Sequence, residues 1–338
     1  MKRLILICTT FLMMFVSSVS AALKLTIADV TSSKFAPKVV SGINPIEGTD
    51  TYARISDDGK RIVTYSFKTG RELSVLFDVN NTMGEKIKSF DGYTMSPDGT
   101  RMLIQTKTNY IYRRSYTAVH YIYTIASRKL ERLSDGGPQQ VPTWSADGQQ
   151  VAFVREGNIF LVKLLYDNAE IQVTKDGKFN EVINGIPDWV NEEEFGFNRA
   201  LTFNADGTML CWIRYDESKV KTYSLQMYKG MRPEHSEYTD YPGFYSYKYP
   251  KAGQDNSVVT AWSYDIKSRK INRLNVPIDA DGYMPRIKST IDPNRIVVYT
   301  MNRHQDQLCL YAVNPRTTVA QLLIKESVPK YVQESAVE

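Results

Sequence analysis

Apolar positions along the chain come in short bursts, and each burst is introduced by the same polar turn. The turn reads Arg54-Ile-Ser-Asp-Asp-Gly59, Thr94-Met-Ser-Pro-Asp-Gly99, Thr143-Trp-Ser-Ala-Asp-Gly148 and Thr202-Phe-Asn-Ala-Asp-Gly207. A weaker fifth copy is Ser289-Thr-Ile-Asp-Pro-Asn294. Strand-length apolar runs follow at 61–65, 101–105, 150–154, 209–214 and 295–300. Asp-Gly between two strand-like runs predicts a hairpin, because glycine tolerates the positive φ of a tight turn. A second pattern, Y-x-I-x-S-R-K-[LI]-x-R-L, occupies 123–133 and 264–274, with looser versions at 76–90 and 310–324. It reads as two strands around a polar turn, the outer hairpin of a repeating sheet.

The intervals Gly59 to Gly99, Gly99 to Gly148 and Gly148 to Gly207 grow along the chain. The first two lie in the roughly 40–50 residues of a propeller blade, and the third carries an insertion. A second insertion falls between Gly207 and Tyr264. Helical periodicity is nearly absent. The chain is expected to be all-β: a β-propeller of four-stranded blades around a channel, incomplete, with about five blades. A sandwich would not repeat one hairpin signature at blade spacing.

Aromatic residues make up 12% of the chain, including 22 tyrosines, which favours strands. Apolar residues at 42% and charged residues at 23% are ordinary globular values and exclude wholesale disorder. With 338 residues, the chain can bury roughly 75% of its unfolded surface without disulfide or metal staples. The net charge of +5 is too mild, and its basic residues too dispersed, for a nucleic-acid partner. Three cysteines, one of them Cys8 near the N-terminus, make no disulfide framework. His120, His235 and His304 include no i, i+4 pair, so neither a metal nor another cofactor is expected.

Met1-Lys2-Arg3, the apolar stretch 4–16 and Val19-Ser20-Ala21 have the pattern of a secretory signal peptide. The apolar stretch is shorter than the ~20 residues of a membrane span. The expected organisation is a signal peptide at 1–21, an N-terminal arm at 22–45 and a partial propeller at 46–338. The mature protein is then exported, to a periplasm or cell surface, with no integral span after cleavage.

Two segments carry more than fold: Tyr112-Arg-Arg-Ser-Tyr-Thr-Ala118 and Asp188-Trp-Val-Asn-Glu-Glu-Glu194. With Tyr249-Pro-Lys-Ala-Gly253, and with Leu25-Thr-Ile-Ala-Asp-Val30 and Phe35-Ala-Pro-Lys38 near the start, they resemble the propeller portion of dipeptidyl peptidase IV, in a bacterial form. The resemblance covers nearly the whole mature chain. It implies an eight-bladed propeller followed by a C-terminal α/β-hydrolase domain, often in a homodimer. The activity it implies is release of N-terminal dipeptides whose second residue is proline or alanine. By motif position, Glu193 and Glu194 would hold the free amino group of the peptide, and Arg113 the carbonyl oxygen of its first peptide unit.

Side-chain geometry bears on this. Consecutive residues point to opposite faces of a strand but lie about 100° apart on a helix. Glu193 and Glu194 can therefore converge on one cation only from a helical turn, for which Pro187, Asp188 and Asn191 are plausible start residues. From spacing alone, Asn191 and Glu194 also read as a capping box, and Arg113-Arg114 as a solvated edge pair. Where relatives carry a tyrosine before the glutamates this chain has Asn191, and the phenylalanine that follows them matches Phe195. Trp189 is expected to pack and orient the turn.

A peptidase of this type needs a serine elbow, G-x-S-x-G, with a later Asp and His. The sequence contains no G-x-S-x-G. The hydrolase domain is read as absent, the chain as a fragment, and the polypeptide alone as hydrolysing nothing. The alternative is a non-catalytic periplasmic propeller that binds a peptide or protein.

Overall fold

In the computed structural model, residues 24–37, 42–228 and 241–333 are described. The leader expected at 1–21 and His235 lie outside them. The chain divides into two compact units, Met1–Pro45 and Ile46–Glu338. In the first, Thr26 caps the short helix Ile27–Thr31 and exchanges hydrogen bonds with Asp29, a reciprocal capping box. No helix among the described residues is long and apolar enough to cross a membrane.

The second unit is an array of five antiparallel sheets, the blades of an incomplete propeller. Blade one contains Thr51–Ile55, Arg61–Ser66 and Glu72–Asp78. Blade two contains Gly92–Met95, Arg101–Tyr110, Tyr116–Thr124 and Lys129–Arg132. Blade three is the meander Gln140–Trp144, Gln150–Arg155, Asn158–Lys163 and Ala169–Gln172. Blade five runs Tyr283–Ser289, Ile296–Met301, Gln307–Val313 and Ala320–Ser327.

Blade four is the irregular one. Two short strands, Val182–Asn184 and Leu201–Phe203, share one edge of Met209–Asp216. They are one inner strand broken in the middle, and the chain leaves the sheet between them. Val258–Asp265 and Ile271–Arg273 complete the blade on the other side. The second expected insertion includes a separate two-stranded hairpin, Thr222–Met227 with Gly243–Lys248.

In blades one to four the Asp-Gly turns join the strands on either side through a shared device. Ser56, Ser96 and Ser145 each donate to an aspartate two residues on, at 2.5 Å. Each also accepts the backbone N–H five residues on, at 2.9 Å. In blade four Asn204 replaces the serine, its Oδ1 accepting from the Met209 N–H at 2.9 Å. Gly59, Gly99, Gly148 and Gly207 all sit at φ between 65° and 69°, where a side chain would be strained.

The outer hairpins at 123–133 and 264–274 also form, turning through Arg128 and Arg269 at positive φ. The looser version at 76–90 does not. The chain leaves blade one at Asp78, and Met83–Gly84 joins the outer edge of blade two in parallel with Lys129 and Leu130. A short 3-10 turn at Val79–Asn81, begun by Asp78, carries it across. Local similarity to a hairpin is overridden there by the inter-blade connection.

Cores lie between blades, which explains why the middle strands are apolar on both faces. On Gln150–Arg155, Val151 and Phe153 pack towards Leu103 and Ile122 of blade two. Ala152 and Val154 face Leu201, Phe203 and Trp212 of blade four. Alternation still operates, but both faces are buried.

Candidate functional site

The break in blade four is filled by the helix Trp189–Phe195. Asp188 caps it, its Oδ1 accepting the Asn191 N–H at 2.9 Å and the Asn191 Nδ2–H at 2.8 Å. The helix therefore starts earlier than an Asn191–Glu194 capping box requires, and Asn191 occupies its first turn. An aspartate cap won because its other oxygen is anchored by the Ser257 hydroxyl. Asp188 is buried, and that burial raises its pKa against the lowering effect of these hydrogen bonds. Gly196 closes the helix in the left-handed conformation.

Three glutamates in succession on this helix point three ways. Glu192 is 1% exposed and turns inward. Its Oε1 accepts the backbone N–H groups of Arg114 and Ser115, both at 2.8 Å. These belong to the tip of the long blade-two hairpin, Arg101–Tyr110 with Tyr116–Thr124. Asn198 Nδ2 donates to the Arg114 carbonyl at 2.8 Å, and the Arg114 guanidinium donates to the Glu192 carbonyl at 3.3 Å. The hairpin tip is thus docked on the helix by four polar contacts.

Docking brings Arg113 to Glu193. Its Nη2 lies 2.8 Å from Glu193 Oε1. Arg113 keeps 69% of its side chain exposed and Glu193 26%, so the pair sits at an open surface. Glu194, one position further, is exposed and has no partner among the described residues. The structure therefore joins Arg113 with Glu193 and leaves Glu194 beside them. An exposed ion pair flanked by a free carboxylate can exchange its arginine for, or share it with, an incoming cation.

Aromatic rings brace the site from beneath. Trp189 stacks on Tyr249 with ring centroids 4.1 Å apart and planes inclined by 27°. Tyr247 lies between the two halves, 5.6 Å from Tyr112 and 6.0 Å from Trp189. Tyr249 opens the segment that resembled the family without any evident chemistry, and its role here is packing. Phe195 is buried against Tyr283 rather than presented at the surface.

Glu192 was missed by sequence reasoning, although a signal existed. Three adjacent positions on a helix span more than half its circumference, so one glutamate of three must face inward. Ser257 and Asn198 gave no such signal, because their partners lie 69 and 84 residues away.

The five blades and the helix set into the broken strand of blade four define a β-propeller, incomplete among the described residues. Residues 96–337 match the family described as the dipeptidyl peptidase IV (DPP IV) N-terminal region. The chain belongs to that family. It is 28% identical over 344 residues to a probable dipeptidyl-aminopeptidase B of Emericella nidulans, across 91% of this chain and 36% of the relative. Among solved structures it resembles dipeptidyl peptidase 4 of Porphyromonas gingivalis, with 35% identity and a TM-score of 0.87. That match covers 93% of this chain and 44% of the other. A putative dipeptidyl aminopeptidase IV from Bacteroides ovatus shares the fold, with 20% identity and a TM-score of 0.62. The chain thus spans less than half the length of these relatives.

Proposed function

We propose that this chain is the substrate-recognition propeller of an exported, serine-type dipeptidyl aminopeptidase that releases N-terminal Xaa-Pro and Xaa-Ala dipeptides. In this reading Glu193 and Glu194 receive the peptide's ammonium group, and Arg113 donates to the carbonyl oxygen of its first peptide unit. Bond cleavage belongs to a separate hydrolase domain, and this polypeptide alone binds without turnover.

The observation that carries the reading is the 2.8 Å approach of Arg113 to Glu193, from segments far apart in sequence. A solvated edge arginine needs no such mate, and no capping role uses Glu193 or Glu194. Each charge-assisted hydrogen bond to an ammonium contributes about 1.5–3 kcal/mol. Acetylating the peptide amine removes them and leaves carboxylates facing a neutral amide.

Calorimetric titration with a short Xaa-Pro peptide, free and N-acetylated, tests this. The free peptide is expected to bind at least about tenfold more tightly, and the preference to vanish in a Glu193→Gln/Glu194→Gln double variant. Equal affinity for both peptides would sink the amine clamp. Discrimination surviving in the double variant would move the amine site elsewhere.

A further inference from the structure

Behind the recognition hairpin and helix lies a cavity of about 270 Å³, separate from the Arg113–Glu193 surface. Ile111, Val182, Ile183 and Ile186 make its wall apolar, and the rings of Tyr112 and Trp189 close one side. Polar side chains interrupt this lining, Ser115, Asp188 and Glu217 among them, with Gln140, Glu156, Lys178 and Asn180. Two of the first three stand unanswered. Ser115 Oγ is buried without a hydrogen-bond partner. Glu217 is 5% exposed, and its carboxyl has neither hydrogen bond nor ion pair among the described residues.

The surrounding charges explain what is missing. Asp188 of the helix cap is already engaged by Ser257 and Asn191. Asp216, which ends the strand just before Glu217, is held by Ser218 and lies 3.6 Å from Arg214. The nearby cation, Lys248 of the inserted hairpin, donates to the carbonyls of Ser218 and Val220, at 3.4 and 2.6 Å, and acts on Glu217 only through its field, without an ion pair. Lys178 at the cavity rim is paired with Glu181 at 2.5 Å, and Glu156 adds another carboxylate to the rim. The Tyr112 hydroxyl is kept neutral by burial. The lining therefore sets a buried carboxyl, which no cation of the described residues contacts, among aromatic rings and hydrocarbon.

We propose that this cavity is a binding site for a small amphiphilic amine, its ammonium on the Glu217 carboxylate and its hydrocarbon body against Tyr112, Trp189 and Ile183. Aromatic walls favour a cation that has shed part of its water. A neutral ligand leaves the Glu217 carboxyl protonated near neutral pH, whereas an ammonium supplies the counter-charge that its ionised form needs. Burial, reinforced by Asp188 and Asp216 and opposed by Lys248, pushes Glu217 up to about 8. An aliphatic ammonium loses its proton only near ~10. Affinity is then expected to rise from pH 7 to pH 9, as Glu217 ionises while the ligand stays charged. The site does not depend on the peptide-binding reading.

The test is calorimetric titration of the full chain with 2-phenylethylamine, and with 2-phenylethanol as its neutral counterpart. The amine is expected to bind saturably, at least about tenfold more tightly than the alcohol, and to tighten from pH 7 to pH 9. Glu217→Gln is expected to abolish the binding component that tightens from pH 7 to pH 9. The Glu193→Gln/Glu194→Gln double variant removes any amine held on the surface carboxylates and is expected to keep that pH-dependent component. Equal affinity of amine and alcohol in the unsubstituted chain would overturn the proposal without any variant. Loss of amine binding in the double variant would overturn it too, by placing the amine on the surface carboxylates.

Discussion

Replacing Glu192 with alanine removes a buried carboxylate set apart from the Arg113–Glu193 ion pair, yet it is expected to release the hairpin tip that carries Arg113. Glu192 Oε1 is the acceptor for two backbone donors, Arg114 and Ser115, both at 2.8 Å. Truncation leaves both N–H groups without that acceptor in a site where Glu192 itself is 1% exposed. Each unsatisfied buried donor costs about 1–3 kcal/mol, so two set a ceiling near ~6 kcal/mol. Relief partly offsets this, because Glu192 Oε2 is itself buried without a partner. The hairpin tip can also lift away and let water reach the donors. A net loss of about 2–4 kcal/mol is expected, concentrated at the tip. Amide hydrogen exchange reads this directly: Arg114 and Ser115 lose protection in Glu192→Ala, while blade-three amides such as Phe153 keep theirs. Glu192→Gln retains a carbonyl acceptor and is expected to keep most of the protection. Unchanged protection at Arg114 and Ser115 in the alanine variant would refute the docking role. So would a glutamine variant as damaged as the alanine one.

Two further outcomes are expected. His120 is buried, and burial pushes its pKa down to about 4, against the raising effect of its contact with Gln139. Its depressed value means the unfolded chain binds the proton more readily, so stability falls as pH drops from about 6.5 towards 4. Urea unfolding across that range is expected to show a steeper acid loss in the parent than in His120→Gln, and parallel curves would contradict it. Gly185, where the inner strand of blade four leaves the sheet, sits at φ 77°. A Cβ there would lie 2.9 Å from Leu201 Cδ2 and 3.1 Å from Val154 Cγ2. Gly185→Ala is expected to lower stability by about 2 kcal/mol, measured by thermal or urea unfolding, and a neutral result would show that blades three and four yield easily.

Much of this architecture was legible because its grammar is local. A serine, an aspartate and a glycine within four residues specify the inner turns of blades one to three, with Asn204 in place of the serine in blade four, and their partners lie at most five residues away. The blade count followed from that spacing, as did the need for a helix under Glu193 and Glu194. What escaped was settled at long range. The helix start moved to Asp188 because Ser257 anchors that side chain, and nothing near Asn191 announces Ser257. The segment 76–90 looked like a hairpin, but Met83–Gly84 finds its partner on the next blade. Glu192 stood in plain view within a motif whose other two glutamates drew attention outward. Its value lies in two backbone groups of another blade, which a one-dimensional pattern does not reveal.

The broken inner strand of blade four has a mechanical consequence. The helix is mounted at both ends on a single strand, Met209–Asp216, through Val182–Asn184 below and Leu201–Phe203 above. It is therefore a bracket of blade four. Arg113 rides on the hairpin of blade two, with blade three standing between as a spacer. The contacts of Glu192 and Asn198 with Arg114 and Ser115 therefore fasten blade two to blade four across blade three, like a strap passed over a middle plate. Loosening that strap frees Arg113 from Glu193 without touching either side chain.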